Sequence, residues 1–237
     1  MLLSYFFMIF EAFLYIFIMK QLLFNNRYFL LPYLLFLASF IVFAFSFTKI
    51  EMHIWANQIN SPFFDIFFKY ATHLGDGSLI AVLALVLLFV KYRYALAFLI
   101  GSLLTSGIVH LFKRLLLEEM YRPSKYFELF ETYQLYLIEG VTLRSLQSFP
   151  SGHTSTSFNV FLMLALLTKN NYLKLGYFIM AAVVAYSRVY LSQHFFIDII
   201  AGSFIATVTM LVVYYWVNTW NRKWIESSVL TKVQITR

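Results

Sequence analysis

The chain has 237 residues, of which 61% are hydrophobic, 21% aromatic and only 12% charged, and its formal net charge is +7. Soluble domains carry about 25% charged residues, so this composition excludes an ordinary soluble domain. The chain contains no cysteine, which excludes disulfides, thiolate nucleophiles and thiolate metal sites.

Apolar residues fall into segments that approach the roughly 20 residues a bilayer requires of a spanning helix. In chain order, the segments lie near residues 3–24, 28–48, 76–92, 94–117, 153–169, 172–190 and 195–217. The first has neither a basic start nor a small-residue cleavage site, so we expect a retained helix. The third is the weakest, because its uninterrupted apolar core from Ser78 to Val90 is short, and the amphipathic residues 50–77 before it are expected to lie along the membrane interface. The pattern predicts an all-α protein, a polytopic membrane helical bundle that forms one domain over residues 1–237.

The basic residues indicate the orientation, because cytoplasmic loops of membrane proteins are enriched in Lys and Arg. Alternation of the spans brings one set of basic residues to a single side: Lys20, Arg27, Lys91, Arg93, Lys169, Lys174, Arg222, Lys223, Lys232 and Arg237. We expect this side to face the cytoplasm, so the loop from Glu118 to Phe149 faces outward from the cytoplasmic membrane. Topology accounts for most of the net charge, and neither a nucleic acid nor an obligate protein partner is predicted.

Three polar clusters interrupt the apolar pattern, and the alternation brings all of them to the outward side. They are Lys113 with Arg122-Pro123, then Pro150-Ser151-Gly152-His153, then Ser187-Arg188 with His194 and Asp198. Because His194 and Asp198 are four residues apart, they share one face of a helix. The carboxylate can fix the tautomer of the imidazole and leave its other nitrogen free as a nucleophile. A structural His–Asp pair is the alternative.

The second cluster predicts the start of a helix. Pro150 suits a first helical turn, Gly152 lets a ligand approach the backbone closely, and the free amides of a helix N-terminus bind anions. Ser151 can add a hydroxyl group and His153 can protonate a leaving group. An ordinary capped helix start is the alternative.

The cations decide between these alternatives. Lys113, Arg122 and Arg188 are directed to the same region, where unpaired charges close to a bilayer are costly, and arginine offers donors that match phosphate oxygens. The same cations repel Mg²⁺ or Zn²⁺, the carboxylates are few, and the chain has no D-x-D pair. We therefore predict a phosphate-binding site with no metal and no cofactor.

The clusters resemble the motifs of the type 2 phosphatidic acid phosphatase superfamily, which contains integral-membrane lipid phosphatases and haloperoxidase relatives. Its motifs are K-x6-R-P, P-S-G-H and S-R-x5-H-x3-D, and the second and third match without change at 150–153 and 187–198. In the first, eight residues separate Lys113 from Arg122, or seven if Arg114 takes the place of the lysine, and we favour Lys113. The resemblance implies a six-helix phosphatase core over about 28–217, with 3–24 as one extra N-terminal helix.

The resemblance also implies a metal-independent reaction through a phosphohistidine. His194 would attack phosphorus, oriented by Asp198, and His153 would protonate the leaving lipid oxygen. The residues that would bind the phosphate are Lys113, Arg122, Ser151, Gly152 through its amide, and Arg188. The implied substrate is a lipid phosphate or diphosphate in the bilayer: phosphatidate, phosphatidylglycerophosphate, undecaprenyl diphosphate or a lipid A phosphate.

Three alternatives remain at this stage. A phosphotransferase would pass the phosphoryl group to a lipid acceptor, a haloperoxidase would hold vanadate in a similar site, and a non-catalytic lipid-binding scaffold would need no nucleophile. Two nearby residues are interpreted as structural. Asp76 belongs to a helix N-terminal turn, and His110 is a histidine with structural hydrogen-bond partners, the alternative being that it lines the site.

Overall fold

The computed structural model describes residues 19–231, and this part of the chain is helical without a β-strand. The helices are α1 (Arg27–Ser46), α2 (Lys49–Gln58), α3 (Pro62–Ala71), α4 (Gly77–Val90), α5 (Tyr92–Leu111), α6 (Pro123–Phe130), α7 (Gly152–Leu167), α8 (Asn171–Tyr190) and α9 (Phe196–Asn218). Short 3₁₀ turns lie at Thr72–Gly75 and Lys223–Glu226, and a π-helical turn lies at Phe112–Leu116. Residues 19–25 are helical as well. The all-α prediction is confirmed, while most of the predicted first span, 3–24, lies outside the described residues.

Each of the six later apolar segments forms a helix close to its predicted bounds, namely α1, α4, α5, α7, α8 and α9. Among the described residues, three helices are long and apolar enough to cross a membrane by themselves: α1, α5 with its π turn (Tyr92–Leu116), and α9. A fourth candidate is the pair Pro62–Gly75 and Gly77–Val90, which is bent by 52°. Because α4 has only 14 residues and α7 only 16, the count of six core spans plus one stays a prediction.

Helix α7 lies at the centre of the bundle, in contact with α5, α8 and α9. Every residue from Ser157 to Met163 is buried, as expected of a helix that other helices enclose on all sides. The ring of Phe158 meets the edge of Phe29 in α1 at a centroid distance of 6.3 Å. Phe29 in turn meets Phe178 in α8 at 5.8 Å. This core sets the position of α7 relative to its neighbours.

A close crossing joins the start of α7 to α9. A Cβ atom at Gly202 would lie 2.5 Å from the carbonyl oxygen of Ser151, so only glycine allows the two helices to approach this far. At the same crossing, the Ser155 hydroxyl donates to the carbonyl of Gly202 at 3.1 Å. The Ser151 amide donates to the carbonyl of Asp198 at 2.9 Å. The crossing brings the second and third polar clusters together at one end of the bundle.

The loop between α6 and α7 crosses this same end and is anchored by α2 and α3. Asn57 exchanges two hydrogen bonds with the backbone of Tyr136, both at 2.9 Å. Lys69 donates to the carbonyl of Glu139 at 2.8 Å. The anchoring helix α2 begins at a capping box that Thr48 forms with Glu51, which fixes its start.

Candidate active site

A cavity of about 660 Å³ opens at this end of the bundle. Its walls contain six of the eight predicted site residues: Lys113, Arg122, Gly152, His153, Arg188 and His194. The other two, Ser151 and Asp198, are buried behind the wall. The three polar clusters are therefore adjacent in space, although the chain separates them.

His194 lies on the short loop between α8 and α9 and is almost fully buried. The prediction that it shares a helix face with Asp198 is wrong, because α9 begins only at Phe196 and contains Asp198 alone. Its Nδ1 atom lies 3.3 Å from Oδ2 of Asp198. The same carboxylate accepts hydrogen bonds from the hydroxyl of Ser148 and, at 2.9 Å, from the amide of Phe195. Since these donors fix the carboxylate, the carboxylate in turn fixes the plane of the imidazole.

The other ring nitrogen of His194 is directed to the cations. Its Nε2 atom lies 3.3 Å from Nη1 of Arg122, a donor that can only pair with a lone pair on this nitrogen. Burial, and then the charges of Arg122 and Arg188, hold the pKa of His194 well below its ordinary value. The imidazole is therefore neutral, with its proton on Nδ1 and its lone pair on Nε2.

His153 is paired with a carboxylate that the sequence analysis missed. Its Nε2 atom lies 3.0 Å from Oδ1 of Asp76, and Oδ2 of Asp76 lies 2.9 Å from Nδ1 of His73. Asp76 does precede α4, as expected, but its side chain makes no capping hydrogen bond there. A Cβ atom at Gly75 would lie 2.8 Å from the carbonyl oxygen of His153, so glycine lets this turn pack against α7. No local spacing in the sequence signals the pair.

The three predicted cations surround the two histidines. Arg122 donates to the carbonyl of Leu146 at 2.9 Å, and burial, followed by the charge of Arg144, lowers the pKa of Arg122 to about 10. It therefore stays protonated at neutral pH. Arg188 donates to the hydroxyl of Thr72, while its Nε atom is buried without a partner among the described residues. A buried donor without a partner is costly, and an anion in the cavity would satisfy it.

The structure separates the two candidates for the first cation of the site. Lys113 is partly buried and donates to the carbonyl of Gln147 at 2.7 Å, next to the contacts of Arg122. Arg114 also lines the cavity but is exposed. The π-helical turn Phe112–Leu116 and the residues after it accommodate the longer spacing before Arg122. Lys113 therefore has the inner position.

Ser151 and Gly152 have different places at the start of α7. The hydroxyl of Ser151 caps the helix, accepting from the amide of Thr154 at 3.4 Å and from its hydroxyl at 2.9 Å, and this matches the alternative of an ordinary cap. Gly152 lines the cavity, and a Cβ atom there would meet no atom within 4 Å. The open space lies where the helix presents its amides, which suits an anion.

Further residues line the cavity beyond those predicted. His110, which was interpreted as structural, lies on the wall, as do Lys69, Arg144 and Gln193. Their positions come from long-range packing, and no motif marks them. Within residues 19–231, no group of three or more His, Asp or Glu side chains lies together as a metal site requires.

The fold and the cationic cavity define a polytopic membrane protein with a site for an anionic group. The family model of the PAP2 superfamily matches residues 91–222, more than half of the chain, so the chain belongs to the PAP2 superfamily. This confirms the family and the class of enzyme, a phosphatase, that the motifs predicted.

Two solved structures share the fold. One is LpxE of Aquifex aeolicus, with a TM-score of 0.59 and 22% identity over 69% of this chain and 92% of that chain. The other is the first transmembrane PAP2-type phosphatidylglycerolphosphate phosphatase of Bacillus subtilis, with a TM-score of 0.53 and 22% identity over 84% of this chain and 98% of that chain. No curated protein sequence matches the chain significantly.

Proposed function

We propose that the protein is a metal-independent lipid phosphatase that hydrolyses a lipid phosphate or diphosphate through a phosphohistidine at His194. The observation that carries this proposal is the state of His194. It is buried, neutral and oriented by Asp198, and its free nitrogen is directed toward Arg122 at the cavity. These are the properties of an activated nitrogen nucleophile.

In the first step, Nε2 of His194 attacks phosphorus, and the bond between phosphorus and the lipid oxygen breaks. His153 gives a proton to that oxygen, so the lipid product leaves uncharged at this atom. Lys113, Arg122 and Arg188 stabilise the negative charge on the phosphoryl oxygens. The carboxylate of Asp198 stabilises the positive charge that develops on the nucleophile.

In the second step, a water molecule attacks phosphorus and gives a proton to the now neutral His153. The phosphorus–nitrogen bond breaks, its electron pair returns to Nε2 of His194, and inorganic phosphate is released. Asp76 orients His153 for both proton transfers, and its negative charge favours the protonated imidazole.

The location of the site suits a substrate whose chains stay in the bilayer. The buried Lys174 and the pair Lys91 and Arg93, which bind Glu226, lie at the opposite end of the bundle from His194. By the positive-inside rule, this distribution supports a cytoplasmic membrane with the site on the outward face.

Membership of the superfamily supports lipid phosphates as substrates, and the Bacillus subtilis relative is described as a phosphatidylglycerolphosphate phosphatase.

The test measures inorganic phosphate release by detergent-purified protein in EDTA from phosphatidate, phosphatidylglycerophosphate, undecaprenyl diphosphate and a lipid A phosphate. We expect release from at least one lipid, and a loss of about 10³-fold or more in His194→Ala. Brief incubation with radiolabelled substrate, followed by alkaline denaturation, should leave label on the wild-type protein. His110→Ala is the matched control, because this histidine shares the cavity and should still take up label.

Three results would contradict the proposal. Release that EDTA abolishes would argue for a metal-dependent reaction. Label that persists in His194→Ala would place the covalent intermediate elsewhere. Labelled phosphate that passes to a second lipid and not to water would favour the phosphotransferase.

A further inference from the structure

The cavity carries more positive charge than one phosphate group requires. The basic residues on its walls are Lys69, Lys113, Arg114, Arg122, Arg144 and Arg188. The carboxylate among its lining residues is Asp76, which two histidines already hold. A phosphate monoester carries at most about two negative charges, and Lys113, Arg122 and Arg188 around the histidines are sufficient to balance them.

Arg144 is held at the cavity by the catalytic loops themselves. Two residues before it, the carbonyl of Thr142 accepts from the side chain of Gln193 at 2.9 Å, and Gln193 adjoins the nucleophile. One residue after it, the carbonyl of Ser145 accepts from the backbone amide of Arg122 at 2.9 Å. Arg144 therefore has a defined backbone position between two parts of the active site, although its side chain is exposed.

Arg144 and Arg114 are cations without an acidic partner. Within residues 19–231, no ion pair joins either side chain to a carboxylate. Arg144 lies close enough to Arg122 for its charge to contribute to the lowered pKa of that residue, after burial. Like charges that face one cavity repel each other, and a bound anion would remove the repulsion. Lys69 differs, because its ammonium group already binds the carbonyl of Glu139.

We propose that Arg144 and Arg114 form a second anion subsite, which binds a second phosphate of the same lipid headgroup. The proposal rests on the proposed function and narrows its substrate class to lipids with two phosphates, joined directly or through a short linker. The terminal phosphate occupies the inner site and is transferred to His194, and the other stays on the leaving lipid. In a diphosphate, the bond from the terminal phosphorus to the bridging oxygen breaks, and His153 protonates that oxygen.

The test compares two pairs of substrates: in the first pair one member carries a second phosphate directly, and in the second pair one member carries it on an additional glycerol. Farnesyl diphosphate is compared with farnesyl monophosphate, and phosphatidylglycerophosphate with phosphatidate, for the wild type, Arg144→Gln and Arg114→Gln. We expect the wild type to prefer the doubly phosphorylated lipid of at least one pair by about tenfold in kcat/KM. Arg144→Gln should remove most of this preference through KM, with monophosphate hydrolysis within about twofold of wild type. Arg114→Gln should have the same effect, to a smaller extent.

Arg222→Gln is the matched control, because it removes an exposed arginine beyond the far end of α9, and it should change neither rate. The proposal would be overturned if the wild type had the same kcat/KM for both members of each pair. It would also be overturned if Arg144→Gln lowered kcat/KM equally for the singly and the doubly phosphorylated lipid. A wild type that releases no phosphate from any lipid contradicts the proposed function instead. In that case, the subsite is tested by thermal-shift titration. The wild type should bind pyrophosphate more tightly than inorganic phosphate, and Arg144→Gln should lack this preference.

Discussion

The two histidine–aspartate pairs of the site have opposite surroundings. In the pair of His194 and Asp198, the side chains are 2% and 1% exposed, and the carboxylate is enclosed by further donors from Ser148 and Phe195. In the pair formed by His153 and Asp76, the side chains are 36% and 38% exposed.

The difference corresponds to the different tasks that we propose for the two histidines. A nucleophile that must stay neutral and attack along one direction gains from burial, which disfavours its charged form. A group that gives a proton to the substrate and then takes one from water needs contact with solvent. The buried pair should therefore tolerate almost no change, whereas the exposed pair should respond gradually.

Asp198→Asn should have the largest effect among variants that keep both histidines. An amide at this position no longer stabilises the cationic imidazole and can select the wrong tautomer, so kcat should fall by about 10³-fold or more. The measurement is single-turnover phosphate release, with gel filtration and Tm as controls for folding. A fall of less than about tenfold would mean that the buried pair is structural.

His153→Asn should come next, and its effect should depend on the leaving group. For lipid substrates, loss of the general acid should lower kcat by about 10² to 10⁴-fold. For nitrophenyl phosphate, whose leaving group needs no proton, the first step should be nearly as fast as in wild type. The time course of nitrophenol release should therefore show a burst followed by slow turnover. Equal loss of the burst and of turnover would argue against a role in protonating the leaving group.

Asp76→Asn should cost less, about tenfold in kcat/KM, because the amide can still orient His153. Without the carboxylate charge, the protonated imidazole is less favoured, so the loss should appear with lipid substrates and not in the burst of nitrophenol from nitrophenyl phosphate, whose leaving group needs no proton. An equal loss of the nitrophenol burst would assign Asp76 a structural role.

Ser148→Ala should have the smallest effect of the four. It removes one of the donors to Asp198 and leaves the amide of Phe195 in place. A hydrogen bond of this kind contributes about 1 kcal/mol, or roughly fivefold in rate. Ser148→Thr, which keeps the hydroxyl, is the control that should restore the rate. An unchanged rate in Ser148→Ala would show that the remaining contacts suffice to fix the carboxylate.

The same two pairs show how much of the site was open to prediction. The pairing of His194 with Asp198 could be predicted because only four residues separate them, which is a local relation, although His194 lies in the loop before α9 and not on the helix itself. Asp76 could not, because its contact with His153 depends on the packing of Gly75 against α7. The helices themselves were predictable from apolar runs, but their lengths, and therefore the number of spans, depend on how each one bends and ends.

The loop over the cavity was the least predictable part. Arg144 belongs to no motif, and its place is set by hydrogen bonds from Gln193 and Arg122, which lie far from it in the chain. The inner position of Lys113 likewise depends on a π-helical turn, which no spacing rule anticipates. Residues of this kind are brought to a site by tertiary contacts, so only the folded structure reveals them.

The shortness of α7 also affects how a substrate reaches the enzyme. Its 16 residues extend about 24 Å, roughly 6 Å less than a hydrocarbon core of about 30 Å. If α7 spans the bilayer as predicted and its C-terminal end lies at the cytoplasmic boundary, the amides at its start are recessed below the opposite surface. At that depth a lipid can present its phosphate while its chains remain in hydrocarbon. A site raised to the surface would draw methylene groups into water, at about 0.8 kcal/mol each. Recession of this kind would let the substrate arrive by lateral diffusion in two dimensions, without extraction from its leaflet.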